Sequence, residues 1–570
     1  MVRPLLRLRR LPFYLQIRNQ ETSTKIKSIE SVPPATTASL HSTDVGTVLG
    51  ESTIQIKTPS LNEIRVKEVD AATQTDSSLK LIQNFDEVPG PRVLKNVANI
   101  LRYIPSLSTH VTATTIQYIL STGSQLVGGA DSRFIKWLFD EYGPVVRLEA
   151  PLGGNIVILS RPEHVHAVFK NEGPYPIRSS LDCIEKYRLQ HRQYKQAGPY
   201  IMHGPEWIQL RSKLQTPLES MLDIHFQNLQ SSCDRFVKII KRIRNQQEET
   251  PAEFHSEIYK WSMDCLTIVS FNKELGFLDA DGLRPTSEAM ALFNALKDAT
   301  AAIHKCEGGL KLWKFFVTRD WKLLLKQLDT IDNIVNKYIG SIQLAIEDKD
   351  SKLSIGPNSL VEALLVKEQL QSEDILTVLV DLMIIGVNTT SHAMAFLLYH
   401  LARNPKVQKK LYNEIRNANL YEINSYEKLP YLQACIKESL RLKPPMPVLS
   451  RILQQDVIIH NYRIPKDTFV LMATHLASLR DENFENPTKY DPERWIDDTD
   501  SGTQSLASIP FGFGPKSCLG QKLAMLQLSM MTAKIIKEFN IQYNYGDITA
   551  GTKILSNPNR PLKFRFIERN

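Results

Sequence analysis

Through most of the chain, apolar residues recur three and four positions apart, the spacing of one face of a helix. The longest such run extends from Ser372 to Asn404, with Ser372 placed to cap it and Asn404-Pro405 placed to stop it. At about 1.5 Å per residue, a run of this length crosses a large domain. Asp381, Asn388 and His392 within it argue against a membrane span. A second apolar helical run covers Leu519 to Phe539, and another ends at Pro444-Pro445. Val145 to Leu148 and Ile156 to Leu159 flank Pro151-Leu152-Gly153-Gly154 as a hairpin. Val457 to Ile459 and Thr468 to Met472 read as strands around Asn461 and Pro465, and Pro162 opens a short helix. No internal repeat stands out, and the pattern predicts a mainly α fold.

From Glu21 to Asp86 the periodicity is lost and Ser, Thr, Val and Lys accumulate around Pro33-Pro34, so this part has little core to bury. The stiff turn Val88-Pro89-Gly90-Pro91 marks the start of the folded body. The expected organisation is therefore an N-terminal segment over 1–30, a disordered linker over 31–86 and one large domain over 87–570.

Charge refines that division. The chain of 570 residues carries a net +8, but Arg3, Arg7, Arg9, Arg10 and Arg18 fall in the first 20 residues, before any acid. The remainder holds 64 basic against 61 acidic residues, so the body is nearly neutral and no nucleic-acid partner is expected. No apolar run in the N-terminus approaches the roughly 20 residues that span a bilayer. Arginine mixed with Leu, Phe, Tyr and Ile reads as a mitochondrial presequence, the alternative being a disordered basic tail. Six scattered cysteines without a CxxC pair suggest neither a zinc site nor a disulfide framework, and they fit a reducing compartment.

One cysteine stands in an unusual setting. Phe511-Gly512-Phe513-Gly514-Pro515-Lys516-Ser517-Cys518-Leu519-Gly520 delivers Cys518 to a helix start, where the dipole and unpaired backbone N–H groups favour a thiolate. Glycines there admit a flat cofactor close to the backbone, so Cys518 is a candidate axial ligand to haem iron; the alternative is a structural cysteine beside a turn. Trp207 and Arg211 share one helix face and can grip a carboxylate-bearing ligand, or simply form a cation–π pair. Leu310 to Leu328 interleaves lysines and aromatics, as a helix on a membrane surface or a core helix with a solvated face would. In the long run, Gly386 loosens the helix beside Asn388, Thr389 and Thr390; this is a groove for a diatomic ligand or a harmless kink. Glu438 and Arg441 are three apart and can pair, as can Glu185 and Arg188, but only Glu438 is followed by Tyr490-Asp491-Pro492-Glu493-Arg494-Trp495, whose Arg494 can complete a buried triad.

Taken in order, these motifs resemble the cytochrome P-450 family. FGFGPKSCLG is similar to its haem-binding loop, KESLR to its ExxR helix, DPERW to its arginine turn, GVNTT to its oxygen-activating helix and WIQLR to its propionate-binding helix. The resemblance implies a helical triangular domain with a smaller β region and haem b (iron protoporphyrin IX) as cofactor. Cys518 would be the proximal thiolate. Trp207, Arg211, Arg451 and Lys516, with Phe511 and Gly520 of the loop, would bind the cofactor. Glu438, Arg441 and Arg494 would support the core behind it, and Thr389 with Asn388 would line the oxygen side.

The implied activity is insertion of one oxygen atom of O2 into a lipophilic, sterol-like substrate. Electrons would come from a mitochondrial ferredoxin with its NADPH-dependent reductase, docking near Lys437 and Lys522. The expected location is the matrix side of the inner mitochondrial membrane, with a peripheral membrane contact. The stretch RSSLDCIEKYRLQHRQYKQAGPYIMHGPEW looks most like mitochondrial animal members, and YPIRSS with EKYR is similar to arthropod ecdysteroid hydroxylases, the 22-hydroxylase in particular. Alternatives are a xenobiotic-oxidising mitochondrial monooxygenase, a peroxide-rearranging member that needs no electron donor, a haem-binding protein without turnover, and a helical scaffold without haem. Substrate contacts are expected from Cys183 to Tyr200, Ile385 to Thr389 and Met446 to Leu449. Three departures from the family stand out: Lys516 replaces an arginine, Asn388 replaces an acid that would relay a proton, and Gln433 and Gln521 replace cations used in ferredoxin docking.

Overall fold

The computed structural model describes residues 82–91, 133–149, 155–179, 181–278, 287–308, 311–349, 356–496, 506–548, 550–551 and 557–569. The N-terminal segment, most of the linker and the hairpin tip at Pro151 to Gly154 lie outside these residues.

In chain order the principal elements begin with α1 (Arg133–Tyr142), β1 (Val145–Glu149), β2 (Asn155–Leu159), α2 (Pro162–Lys170) and α3 (Asp182–Lys186). Then come α4 (Gly204–Ile224), α5 (Phe226–Ile243), α6 (Phe254–Phe271), α7 (Glu288–Glu307), α8 (Arg319–Lys349) and α9 (Leu360–Val366). α10 (Ser372–Asp381) runs through a π-helical stretch, Leu382–Val387, into α11 (Asn388–Arg403), followed by α12 (Pro405–Ile415) and α13 (Pro430–Leu442). Next are β3 (Leu449–Ile452), β4 (Val457–Ile459), β5 (Tyr462–Ile464), β6 (Phe469–Met472) and α14 (Thr474–Ser478). The last large elements are α15 (Gln521–Glu538), β7 (Phe539–Gln542) and, near the C-terminus, a strand at Arg565–Glu568 that pairs with β7.

The hairpin forms as expected, with Val145 opposite Leu159 and Glu149 opposite Asn155. β2 then pairs in parallel with β6, and β6 pairs antiparallel with β3, giving a four-stranded sheet ordered β1-β2-β6-β3. β1 and β2 lie close in sequence, whereas their sheet partners come from the far end of the chain. Pairing at that separation is decided by packing rather than by local pattern.

Most of the helices share one continuous apolar core, which includes Trp261, Phe396, Leu397, Leu432, Met531 and Phe564, whereas α1 and α2 pack against the strands in two smaller clusters. α11, at the end of the long run, lies inside it, with Phe396, Leu397, Leu398 and Leu401 nearly inaccessible. Burial of this kind accounts for a 32-residue apolar helix without any bilayer. Boundaries differ in detail from the sequence pattern. Gln371 precedes the helix and Ser372 is its first residue, so Ser372 is not the cap; its hydroxyl accepts from Gln343 instead. Phe539 leaves α15 because it enters strand pairing with Glu568.

The basic aromatic stretch is not a single helix. Lys311 adopts a left-handed conformation, a short 3-10 turn covers Leu312–Lys314, and α8 begins only at Arg319. Trp313 and Trp321 turn inward and stack at 4.9 Å, while Leu312, Phe315, Phe316 and Val317 are exposed at a loop tip. The apolar surface is therefore a small projection, not the side of an amphipathic cylinder.

Candidate functional site

The loop that presents Cys518 is built by its glycines. Gly512 and Gly514 have φ of +75° and +70°, and a Cβ on Gly514 would lie 2.7 Å from a Glu172 carboxylate oxygen. The Cys518 N–H donates to the Phe511 carbonyl at 2.8 Å, closing the loop one residue pair before α15. Phe511 is half-buried against the core.

Cys518 is exposed to solvent, yet the protein around its thiol is dense enough to desolvate it. Burial pushes the thiol upward, against the Gly520 backbone N–H and the charges of Arg211 and Arg178, which pull it down. The helix start alone therefore does not make Cys518 a thiolate, contrary to the expectation from its setting. Desolvation outweighs the Gly520 N–H and the two arginines, and a bound cation favours the thiolate.

Basic side chains gather around Cys518 and Lys516. Lys516 is buried, and desolvation together with Arg178, Arg451 and Arg211 lowers its pKa to about 6. Arg211 and Arg451 are also held below the usual arginine range, mainly by burial and further by Arg178. His203 is pushed down to about 4 by burial, Lys516 and Arg178. One acid facing this group is Glu172, which accepts from Arg451 Nε at 2.6 Å. The Arg178 Nε and His203 Nδ1 atoms are buried and have no hydrogen-bond partner. Four basic side chains, with Glu172 on Arg451 and Glu219 acting on Arg211, and with unpartnered nitrogens on Arg178 and His203, form a site suited to an anionic ligand.

Arg178 is the member that sequence reading missed. Its Nη2 donates to the Tyr200 carbonyl at 3.0 Å and its guanidinium lies 4.2 Å from the Tyr200 ring centre. The signal was present in YPIRSS, but nothing local said that this arginine would face Cys518. The Trp207 and Arg211 pair also differs from expectation. Trp207 Nε1 donates to Pro199 O at 3.1 Å, and the cation over its ring is Lys516, not Arg211. Arg451 comes from β3 and also reaches the carbonyls of Ser450 and Phe513.

Two glycines leave space where a side chain would intrude. Apart from adjacent residues and the local helix backbone, no heavy atom lies within 4 Å of the Cβ position at either Gly386 or Gly520. Gly386 belongs to the π-helical stretch, whose freed carbonyls are taken up by side chains: Asn388 Nδ2 donates to Ile384 O at 2.6 Å, Thr389 Oγ1 to Gly386 O at 3.1 Å and Ser391 Oγ to Val387 O at 2.7 Å. Asn388 Nδ2 also reaches Thr300 Oγ1 on α7 at 3.1 Å. Asn388 is thus a buried donor that ties the stretch to a neighbouring helix. α11 packs against α15, so the helix starting at Asn388 rests on the helix that follows Cys518.

Behind the loop, Glu438 is fully buried and accepts from five donors: Arg441 Nε and Nη2 at 2.8 Å, Arg494 Nε at 3.1 Å, Trp495 Nε1 at 2.9 Å and the Asp491 N–H at 3.0 Å. The triad of Glu438, Arg441 and Arg494 is therefore assembled, with Trp495 as an unforeseen fourth member. The other ExxR pair does not form, because Arg188 turns to Asp381 instead. Lys437 and Lys522 are both exposed; Lys522 pairs with Glu219 at 2.6 Å, and Lys437 lies 6.0 Å from the Trp495 ring centre.

The profile of the family described as Cytochrome P450 matches residues 116–566. The chain is 26% identical over 499 residues to "Probable cytochrome P450 301a1, mitochondrial" of Drosophila melanogaster, covering 85% of this chain and 87% of that protein. It is 30% identical over 458 residues to "Probable cytochrome P450 12a5, mitochondrial" of the same species, covering 76% and 84%. A third relative, "Cytochrome P450 302a1, mitochondrial", is 26% identical over 489 residues, covering 84% and 94%.

Proposed function

Because the chain belongs to the cytochrome P450 family of haem monooxygenases, we propose that it hydroxylates a sterol-like substrate in mitochondria, with an ecdysteroid precursor oxidised at its 22-position as the favoured case. The observation that carries the reading is the setting of Cys518: an exposed thiol on a glycine-built loop at a helix start, with Arg178 and Arg211 acting on it and Lys516 and Arg451 beside them.

These residues fit haem b. Cys518 would hold the iron, while Arg178, Arg211, Arg451 and Lys516 would neutralise the propionates, Trp207 acting through its stacked Lys516. Haem bound there would supply activation of dioxygen by two electrons, so that one oxygen atom enters a C–H bond of the substrate. Thr389 would present a hydroxyl to the oxygen side. Asn388 would hold the π-helical stretch open through Ile384 and Thr300 rather than carry a proton, because an amide has none to lose at working pH. Glu438, Arg441, Arg494 and Trp495 would keep the thiolate loop rigid from behind.

The mitochondrial names of the relatives support residues 1–30 as a presequence, a location on the matrix side of the inner membrane and a ferredoxin with its NADPH-dependent reductase as electron donor. Lys437 remains exposed for such docking, whereas Lys522 must exchange Glu219 for the acidic partner. The exposed Leu312, Phe315, Phe316 and Val317 tip would touch the membrane surface, where lipophilic substrates dissolve.

The test is a type I spectral titration of the haem-loaded protein against ecdysteroid precursors and other sterols, followed by product identification with ferredoxin and NADPH. A 22-hydroxylated product is expected. Oxidation of xenobiotics alone would move the substrate class, and turnover without an electron donor would overturn the monooxygenase reading. Cys518→Ala should abolish the thiolate-shifted Soret band of the reduced CO complex; an unchanged band would reject Cys518 as ligand.

A further inference from the structure

From Leu181 to Trp207 the chain forms a strap beside the loop that carries Lys516 and Cys518. Its C-terminal end is pinned there, since Pro199 O accepts from Trp207 Nε1 and Met202 O accepts from Lys516 Nζ at 2.9 Å. Its middle is fastened elsewhere. Tyr187 and Tyr194 both donate to Asp332 Oδ2 on α8 at 2.9 Å, and the Cys183 N–H donates to the buried Glu307 carboxylate at 2.7 Å.

A further contact reaches the long helix. Arg188, only 2% exposed, places Nη2 at 2.9 Å from Asp381 Oδ1 and 3.2 Å from Thr377 O, while Nη1 donates to Ala197 O at 2.7 Å. The other Asp381 oxygen accepts the Tyr200 N–H at 2.9 Å. Asp381 therefore receives the strap twice, once from a side chain and once from the backbone. The strap is shaped for this contact. Gly198 has φ +88°, and a Cβ there would stand 2.5 Å from Arg188 Nη1 and 3.0 Å from Thr377 Cβ.

The position of Asp381 gives the contact its meaning. It is the last residue of α10, immediately before the π-helical stretch Leu382–Val387 that leads into Asn388 and Thr389. A π-helical stretch carries one extra residue relative to an α-helix, and its competing register is the α-helix itself. An anchor at its N-terminal boundary favours one register over the other. The far end is held by Asn388 through Thr300. We infer that Arg188 is a positioning residue, acting through Asp381 to hold the π-helical stretch in register and so couple the seating of the strap to the placement of Asn388 and Thr389. This rests on the reading of Thr389 as lining the oxygen side.

The experiment uses the full-length haem-loaded protein and carbon monoxide as a diatomic probe. Arg188→Met, Asp381→Leu and the double variant Arg188→Met/Asp381→Leu are compared with Thr389→Ala. The double variant leaves neither charge buried alone, so it decides the matter if a single variant fails to fold. The thiolate-shifted Soret band reports intact haem ligation, the C–O stretching band of the ferrous CO complex reports the polar groups near the probe, and amide hydrogen exchange reports 382–389.

The expected result is an unmoved Soret band, a broadened or split C–O band, and exchange at 382–389 faster by about two- to thirtyfold, the range by which remote contacts alter such equilibria. Arg188→Lys, which keeps the charge but loses the fork, should restore the band only in part. Faster exchange confined to 181–200, with an unaltered C–O band and unaltered exchange at 382–389, would overturn the inference. A C–O band indifferent to Thr389→Ala overturns the oxygen-side reading instead, and exchange at 382–389 then still decides whether Arg188 holds the register.

Discussion

The Lys516 Nζ lies 3.4 Å from the centre of the Trp207 ring and donates to Met202 O at 2.9 Å. This geometry lets a lysine serve where the family commonly has an arginine. The indole face and one carbonyl hold the amino group in place; burial and the neighbouring arginines lower its pKa to about 6, and a bound propionate would draw it back to the charged form, with its remaining donors free to bind. Lys516→Gln removes that charge, and a hydrogen bond to a charged group contributes about 1.5 to 3 kcal/mol. Haem transfer to an apomyoglobin acceptor should become about ten- to a hundredfold faster. Equal transfer rates would remove Lys516 from the cofactor site.

Glu438 is fully buried and faces two arginines, so its charge is compensated only while all of its partners remain. Glu438→Ala should cost about 3 to 5 kcal/mol, because it strands Arg441 in the core. The denaturant midpoint and the haem content should fall together. Arg441→Lys should fail to rescue, since a lysine cannot reach Glu438, Ser478 O and Pro487 O at once as the guanidinium does.

Restoring the family's acid at Asn388 should not help this chain. Asn388→Asp would place a carboxylate oxygen against Ile384 O, where Nδ2 now sits at 2.6 Å, setting acceptor against acceptor. The buried carbonyl would lose its partner at about 1 to 3 kcal/mol. Thermal unfolding should show a lower Tm and peroxide release should not fall. A gain in both stability and coupling would contradict the donor role assigned to Asn388.

His400 makes stability depend on pH. It is buried, its Nδ1 lies 2.9 Å from Ser439 Oγ, and its ring stacks on Tyr490 at 4.8 Å. Burial first, then the charges of Lys443 and Arg441, lower its pKa from 6.5 to about 3. Below pH 6.5 the unfolded chain takes up a proton that the folded chain refuses until about pH 3. Stability contributed by neutral His400 is therefore present above that window and lost as the pH falls through it, at up to about 1.4 kcal/mol per pH unit. Denaturant titrations of His400→Gln between these limits should show a shallower slope; an unaltered slope would assign the acid sensitivity to other groups.

Much of the site was legible before any tertiary contact was known. A thiol held by glycines at a helix start, an acid and arginine three apart on a helix, and a glycine beside Asn388 and Thr389 are local features, and local geometry carries them. The hairpin and the long apolar helix were legible for the same reason, because side-chain period follows directly from backbone geometry. Helix ends were less so, since Phe539 and Ser372 are claimed by strand pairing and by Gln343, which lie elsewhere in the chain.

By itself, then, the sequence determined the glycine-built loop that carries Cys518, the family to which the chain belongs and the mainly helical architecture, all of which depend on short spacings. Tertiary structure alone decided partners. It set Arg178 facing Cys518, turned Arg188 from Glu185 to Asp381, gave Trp207 to Lys516 and made Asn388 a donor to Thr300. A buried charge or amide is satisfied by whichever group packing brings within about 3 Å, and that neighbour is set by how helices dock, not by distance along the chain.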